Sequence, residues 1–245
     1  VYNGWFKAEG FDPKTDADKN VPLLGTRQET FLDEWSTDWD DDDWMKFLFS
    51  QSPFVCLQTL PEGTFGGHQA GLEIYPIGDA APNDMPAADA DSNGWPQSGR
   101  NRALRMIQKA NALHVCGDQH LGYVAQYGID THRDGTFVFC TPAIANTWPR
   151  RWMPKDLPIT GNHEDGFGNL ITVNAISNPH QYGHEPAALH DRAPGWGLLI
   201  CNPTTETVQI EAWPRSAKPN ASDEQQYDGW PVTIKNAGKS GVQKN

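Results

Sequence analysis

The sequence predicts an α/β fold, and three observations carry that prediction. An amphipathic helix from about Ser98 to Ala110 runs directly into the apolar strand Leu113–Cys116. Strand-like runs stand upstream of that helix at Trp44–Phe49 and Pro53–Leu60, so strand, crossing helix and strand follow one another as in a βαβ unit. Further strand-like runs follow at Thr136–Cys140, Ile171–Ile176, Trp196–Cys201 and Thr207–Trp213.

Taken in order, residues 1–25 are polar and punctuated by Pro and Gly, which reads as an irregular lead-in. Thr26-Arg27-Gln28-Glu29 forms a capping-box pattern, and Phe31, Leu32 and Trp35 follow at helical spacing, so a helix is predicted to about Trp39. The run Asp38 to Asp43, broken only by Trp39, reads as a solvated loop, because contiguous aspartates repel one another. Residues 61–97 are dense in Gly, Pro, Asp and Asn; loops of that length tend to be lids or rims. In the helix after Ser98, Ala103, Met106, Ile107 and Ala110 share one face, with basic residues opposite. The strands 196–201 and 207–213 are joined by Asn202-Pro203-Thr204-Thr205-Glu206 and predict a hairpin. Residues 216–245 read as a polar C-terminal tail. Trp-Pro occurs at Trp95, Trp148, Trp213 and Trp230, where extended backbone with an exposed indole edge is expected.

The 245 residues suffice for one large domain or two small ones, with a sizeable core. A formal net charge of -12 argues against nucleic acid as the main partner. It leaves phosphate chemistry open, since bound cations reverse the local field. Cys56, Cys116, Cys140 and Cys201 each sit in an apolar run without any CxxC, and read as free thiols packed in strands. No apolar run reaches membrane-spanning length, so no membrane span is expected. The chain opens at Val1 without a charged-then-apolar leader, which suggests that sequence upstream is missing.

The leading chemical candidate is Gly117-Asp118-Gln119-His120, at the end of the Leu113–Cys116 strand. Carboxylate and imidazole both ligate Zn, Mn or Fe, and open α/β sheets place their sites at the carboxyl ends of strands. The competing reading is ordinary turn chemistry. Asp89-Ala90-Asp91-Ser92-Asn93-Gly94 imitates half of a calcium loop, but its twelfth position is Arg100, which suits an anion. Gly161-Asn162-His163-Glu164-Asp165 imitates a phosphoesterase signature, yet follows Asp118 and His120 and lacks an apolar strand before it; it reads as a loop decoy. Among His68, His132, His180, His184 and His190, in polar and largely solvent-facing surroundings, His68 stands out because Gly66 and Gly67 precede it.

Several stretches together resemble the metallophosphoesterases of the alkaline phosphatase D type, within the calcineurin-like superfamily. They are Leu23-Leu24-Gly25-Thr26-Arg27-Gln28 with Phe31, Leu32 and Trp35; Ser50-Gln51-Ser52-Pro53-Phe54; Asp91-Ser92-Asn93-Gly94-Trp95-Pro96 through Arg100; Gly117-Asp118-Gln119-His120; and Glu211-Ala212-Trp213-Pro214-Arg215. Their order is similar to the second half of that domain, so the chain divides into a lead-in (1–25), the C-terminal part of a metallophosphoesterase domain (26–215) and a tail (216–245).

The resemblance implies a sandwich of two mixed β-sheets flanked by helices, and hydrolysis of phosphate esters at two metal ions (Fe, Ca, Zn or Mn). It makes Asp118 and His120 the catalytic metal ligands; from charge and position, Arg100 or Arg102 is expected to bind substrate phosphate. Gly117 would serve close backbone approach and Gln119 would face away. A periplasmic or secreted location also follows from it. The family's earlier ligand motifs are missing from residues 1–60, and two ligands cannot hold two cations. The site is therefore expected to be completed by a missing N-terminal half or a partner chain, with the isolated chain inactive and apolar strand edges exposed. A competing expectation is a noncatalytic binding or structural protein with a phosphatase-like fold, whose Trp-rich loops contact a partner or glycan.

Overall fold

The computed structural model describes residues 10, 12, 14, 21–62, 83–89, 92–145, 150–155, 157–178, 193–218 and 225–241. Its elements are α1 (Thr26–Thr37), β1 (Phe47–Phe49), β2 (Thr59–Pro61), β3 (Asp84–Pro86), α2 (Gln97–Lys109), β4 (Leu113–Cys116) and β5 (Tyr123–Tyr127). There follow β6 (Phe137–Cys140), β7 (Gly161–Glu164), β8 (Leu170–Ile176), β9 (Gly195–Asn202), β10 (Thr207–Pro214) and β11 (Val232–Lys235).

The fold is α/β, arranged in three layers. Its centre is a six-stranded mixed sheet of order β1-β4-β6-β5-β8-β7, in which β1, β4 and β6 are parallel and β5 runs against β6 and β8. Side chains alternate across a strand, so β4 sends Leu113 and Val115 to one face and His114 and Cys116 to the other. On the His114 face, Ala103, Leu104 and Ile107 of α2 pack with Val55, Leu57, Tyr127, Val138 and Ile171, and Trp35 of α1 joins them. On the opposite face, Leu113, Val115, Val124 and Phe139 meet Val208, Ile210, Ala212 and Ile234 of an antiparallel sheet of order β11-β10-β9. Of the two sheets in this sandwich only the central one is mixed, and both helices lie on one side.

Several expectations change in detail. The N-cap of α1 is Gly25 rather than Thr26, and the Gly25 N–H donates to Gln28 Oε1 at 3.1 Å. The buried stretch 53–58 is irregular where a strand was expected, because side chains rather than a ladder receive its amides: Phe54 N–H donates to Tyr127 Oη and Cys56 N–H to Asp165 Oδ2. No periodicity marked β5, a central strand buried on both faces that therefore lacks polar alternation. The expected 196–213 hairpin is present, with Trp196 opposite Trp213. The stretch read as a tail contributes β11, and Tyr227, Trp230 and Ile234 enter the core. Cys56, Cys116 and Cys140 are buried thiols, whereas Cys201 is exposed on β9. β2 and β3 form a small antiparallel pair, extended by a 2.8 Å bond from Glu62 N–H to Asn83 O.

Candidate metal-ligand turn

The carboxyl ends of β1, β4 and β6 lie side by side, and the segments leaving them are stitched together. Ser50 N–H donates to Val115 O at 3.2 Å, Gly117 N–H to Gln51 O at 3.0 Å and Thr141 N–H to Cys116 O at 2.9 Å. This is the edge where open α/β sheets place ligands.

After Cys116 the chain is crimped. Asp118 and His120 both take left-handed backbone, φ +69° and +54°, on either side of Gln119. Asp and His tolerate that region better than most residues, and paired left-handed positions persist only where surrounding structure enforces them. The crimp turns Gln119 fully inward, where its Oε1 accepts from buried Arg150 Nη1 at 2.9 Å, while Asp118 and His120 stay half-buried. Asp118 Oδ2 accepts from Ser52 Oγ at 2.8 Å and from Gln51 Nε2 at 3.2 Å. Among the described residues a Cβ built on Gly117 would meet Thr141 Oγ1 at 3.7 Å, an ordinary contact.

Arg100 and Arg102 point elsewhere. Arg100 is 1 % exposed, and its guanidinium donates to Phe54 O (2.9 Å), Gly128 O (2.7 Å) and Asn101 Oδ1 (2.8 Å) over the Tyr127 ring. Burial draws its pKa down to about 10. In place of the phosphate contact expected for it, the structure makes Arg100 an internal brace. Arg102 reaches Glu29 Oε1 at 3.2 Å, joining α2 to α1 at the surface.

The Gly161–Asp165 motif is a strand and turn rather than a loop. Asn162 Oδ1 accepts from Thr172 Oγ1 across the β7–β8 pair, and His163 is buried edge-on to Trp152, 5.2 Å between rings. Asp165 is fully buried: Oδ1 accepts the Phe167 and Asn169 amides at 2.9 and 2.8 Å, and Oδ2 accepts Cys56 N–H at 2.9 Å and Asn169 Nδ2 at 3.1 Å. Burial pushes its carboxyl up while these donors and Arg100 pull it back. His132 is half-buried and bonds the His163 carbonyl at 2.9 Å. His68, His180, His184, His190, Asp91 and Trp148 lie outside the described residues.

Sequence reasoning passed over Ser52 and His114. Ser52 lies in a stretch that carries the resemblance without a role of its own, and His114 stands in an apolar strand where nothing local marks it. The Trp-Pro indoles expected at the surface are buried at Trp95, Trp213 and Trp230. Trp213 stacks on Trp196 at 5.4 Å and donates to Glu211 Oε2, while Trp230 packs edge-on to Phe139.

No family model matches the chain, and no curated protein or solved structure matches it. Among the described residues no group of three or more His, Cys, Asp or Glu side chains is placed to hold a metal ion, and no helix is long and apolar enough to cross a membrane. The turn thus offers one carboxylate and one imidazole. That donor set fits part of a metal centre and not a whole one.

Proposed function

We propose that this chain is the C-terminal portion of a metal-dependent phosphoesterase, with Asp118 and His120 as its contribution to a two-metal centre completed by residues outside those described. The observation that carries the reading is the crimped 117–120 turn at the carboxyl edge of the parallel strands. It commits one oxygen of Asp118 to Ser52 and Gln51, and among the described residues no donor is given to the other. The chemistry a bound divalent cation supplies is a water of lowered pKa and neutralisation of phosphoryl charge. The chain's own residues hold the ligand carboxylate still and turn Gln119 out of the way.

A second feature supports a part that needs completion. β1 is the outermost strand of the central sheet, with β4 on one side and no described strand on the other. Its residues Phe47, Leu48 and Phe49 are all apolar, and Phe49 is 71 % exposed. Edge strands are ordinarily guarded by shortness, charge, proline or a bulge; this one is three residues long and carries no charge or proline within it.

The test is elemental analysis and phosphoester hydrolysis on the protein purified with whatever copurifies, using p-nitrophenyl phosphate and bis(p-nitrophenyl) phosphate. Stoichiometric divalent metal and hydrolysis are expected, both lost in Asp118→Asn and in His120→Ala with the native far-UV circular dichroism retained. Full hydrolysis in both variants, or no metal above background in the purified assembly, ends the reading.

A further inference from the structure

Beneath the 50–54 turn lies a hydrogen-bonded chain that the proposed reaction does not use. His114 is fully buried, with Nε2 2.7 Å from Ser50 Oγ and Nδ1 2.8 Å from Tyr127 Oη. The neighbouring bonds decide which nitrogen carries the proton. Ser50 Oγ–H donates to Ser52 O at 2.8 Å, so the Ser50 oxygen accepts from His114 Nε2–H. Nδ1 is then a bare acceptor and takes the Tyr127 O–H, whose oxygen in turn accepts Phe54 N–H at 3.0 Å. The opposite tautomer would leave the Tyr127 proton without an acceptor in a fully buried position and split the Ser50 proton between two acceptors.

This direction also rules on the tempting reading of Ser50 and His114 as nucleophile and base. A base must present a bare nitrogen to the hydroxyl it activates, and here the nitrogen facing Ser50 carries the hydrogen. Burial lowers the His114 pKa to about 3, which keeps the ring neutral and the chain of donors intact. The Phe54 ring packs on His114 at 5.1 Å, and the Phe54 carbonyl is held by Arg100 Nε. Residue 54 is therefore fixed through its amide, its carbonyl and its ring. Asn93 Nδ2 secures the Ser52 carbonyl at 3.2 Å, and Ser52 Oγ delivers the last bond to Asp118.

We propose that Ser50, His114 and Tyr127 are positioning residues that lock the 50–54 turn and, through Ser52, hold Asp118 by Oδ2 so that Oδ1 is the oxygen left for a ligand. The hydrogen-bonded relay stands on geometry alone; its last step rests on the reading of Asp118 as a metal ligand.

The test uses the uniformly ¹⁵N-labelled protein purified with whatever copurifies, and Mn²⁺ as the probe. Long-range ¹H–¹⁵N correlation is expected to show His114 as the neutral Nε2–H tautomer from about pH 8 down to about pH 5. Ser50→Ala and Tyr127→Phe are expected to raise Phe54 amide exchange at least tenfold, a bond neither residue's own backbone makes. Both should weaken Mn²⁺ binding about tenfold, read by paramagnetic broadening at residues 118 and 120, in line with the usual effect of outer-sphere partners. Ser50→Thr keeps a hydroxyl that both accepts and donates, and should restore wild-type values. An Nδ1–H tautomer, or wild-type exchange and Mn²⁺ affinity in both variants, overturns the relay. A wild-type assembly with the expected tautomer but no Mn²⁺ broadening overturns instead the metal reading of Asp118, and with it the last step.

Discussion

Two turns in this protein carry an aspartate beside a histidine, and they do opposite things. At Asp165 all four bonds go to amides of the protein itself, three of them backbone, and the carboxylate is sealed at 0 % exposure. At Asp118 one oxygen takes two side-chain donors, the residue stays half-buried, and the backbone on both sides of Gln119 is left-handed. The letters of the two motifs are nearly interchangeable. What separates a structural carboxylate from a candidate ligand is where the donors come from: Asp165 takes three of its four from its own turn at Phe167 and Asn169, whereas Asp118 takes both of its donors from Gln51 and Ser52, more than sixty positions away.

The largest expected effect breaks the Asp165 side. Asp165→Ala strands three buried backbone N–H groups and should cost about 3–5 kcal/mol in urea unfolding. Arg100 bears on both turns, holding the Phe54 carbonyl next to one and lying close enough to Asp165 to feel its charge. Arg100→Met leaves the Phe54 and Gly128 carbonyls without their donor and should cost about 2–3 kcal/mol by the same measurement; a phosphate-binding arginine would lower substrate affinity with stability intact.

The Asp118 side should show itself through pH. His114 keeps a pKa of about 3 when folded and returns to about 6.5 when unfolded. Its contribution is complete above about pH 6.5. It is lost as pH falls toward about 3, at roughly 1.4 kcal/mol per unit, because the unfolded chain takes up a proton that the native chain refuses. His114→Gln should reduce the slope of unfolding free energy against pH by about one proton between pH 6.5 and 5; an unchanged slope would mean the ring is already protonated in the fold. Asp118→Asn keeps an acceptor for Ser52 and suits left-handed backbone, so its unfolding midpoint should move by less than about 1 kcal/mol equivalent. Arg102→Ala removes one surface ion pair beside the Arg100 brace and should change stability by about 0.5 kcal/mol or less.

How much of this was legible in the chain follows from whether the signal is local. Helix α2 announces itself by spacing, and the β9–β10 hairpin by two apolar runs around a Pro-Thr-Thr turn. Strand β5 gave nothing, because burial on both faces erases the alternation that marks a strand. The 117–120 turn was visible as a strand end with two metal-ligand types, whereas its support from Ser52 and His114 was not, since those contacts join residues 66 and 64 positions apart. Arg100 looked like an anion ligand because its charge is written in the sequence and its burial beneath Phe54 and Gly128 is not.

The bond between Glu62 and Asn83 has a consequence for engineering. β2 and β3 bring those two positions together by pairing with each other. Chain-closure entropy grows only logarithmically with length, about 0.6 kcal/mol for each doubling. A change in the length of the chain joining β2 to β3 is therefore entropically cheap, and it falls on a strand pair separate from the central sheet that carries Asp118.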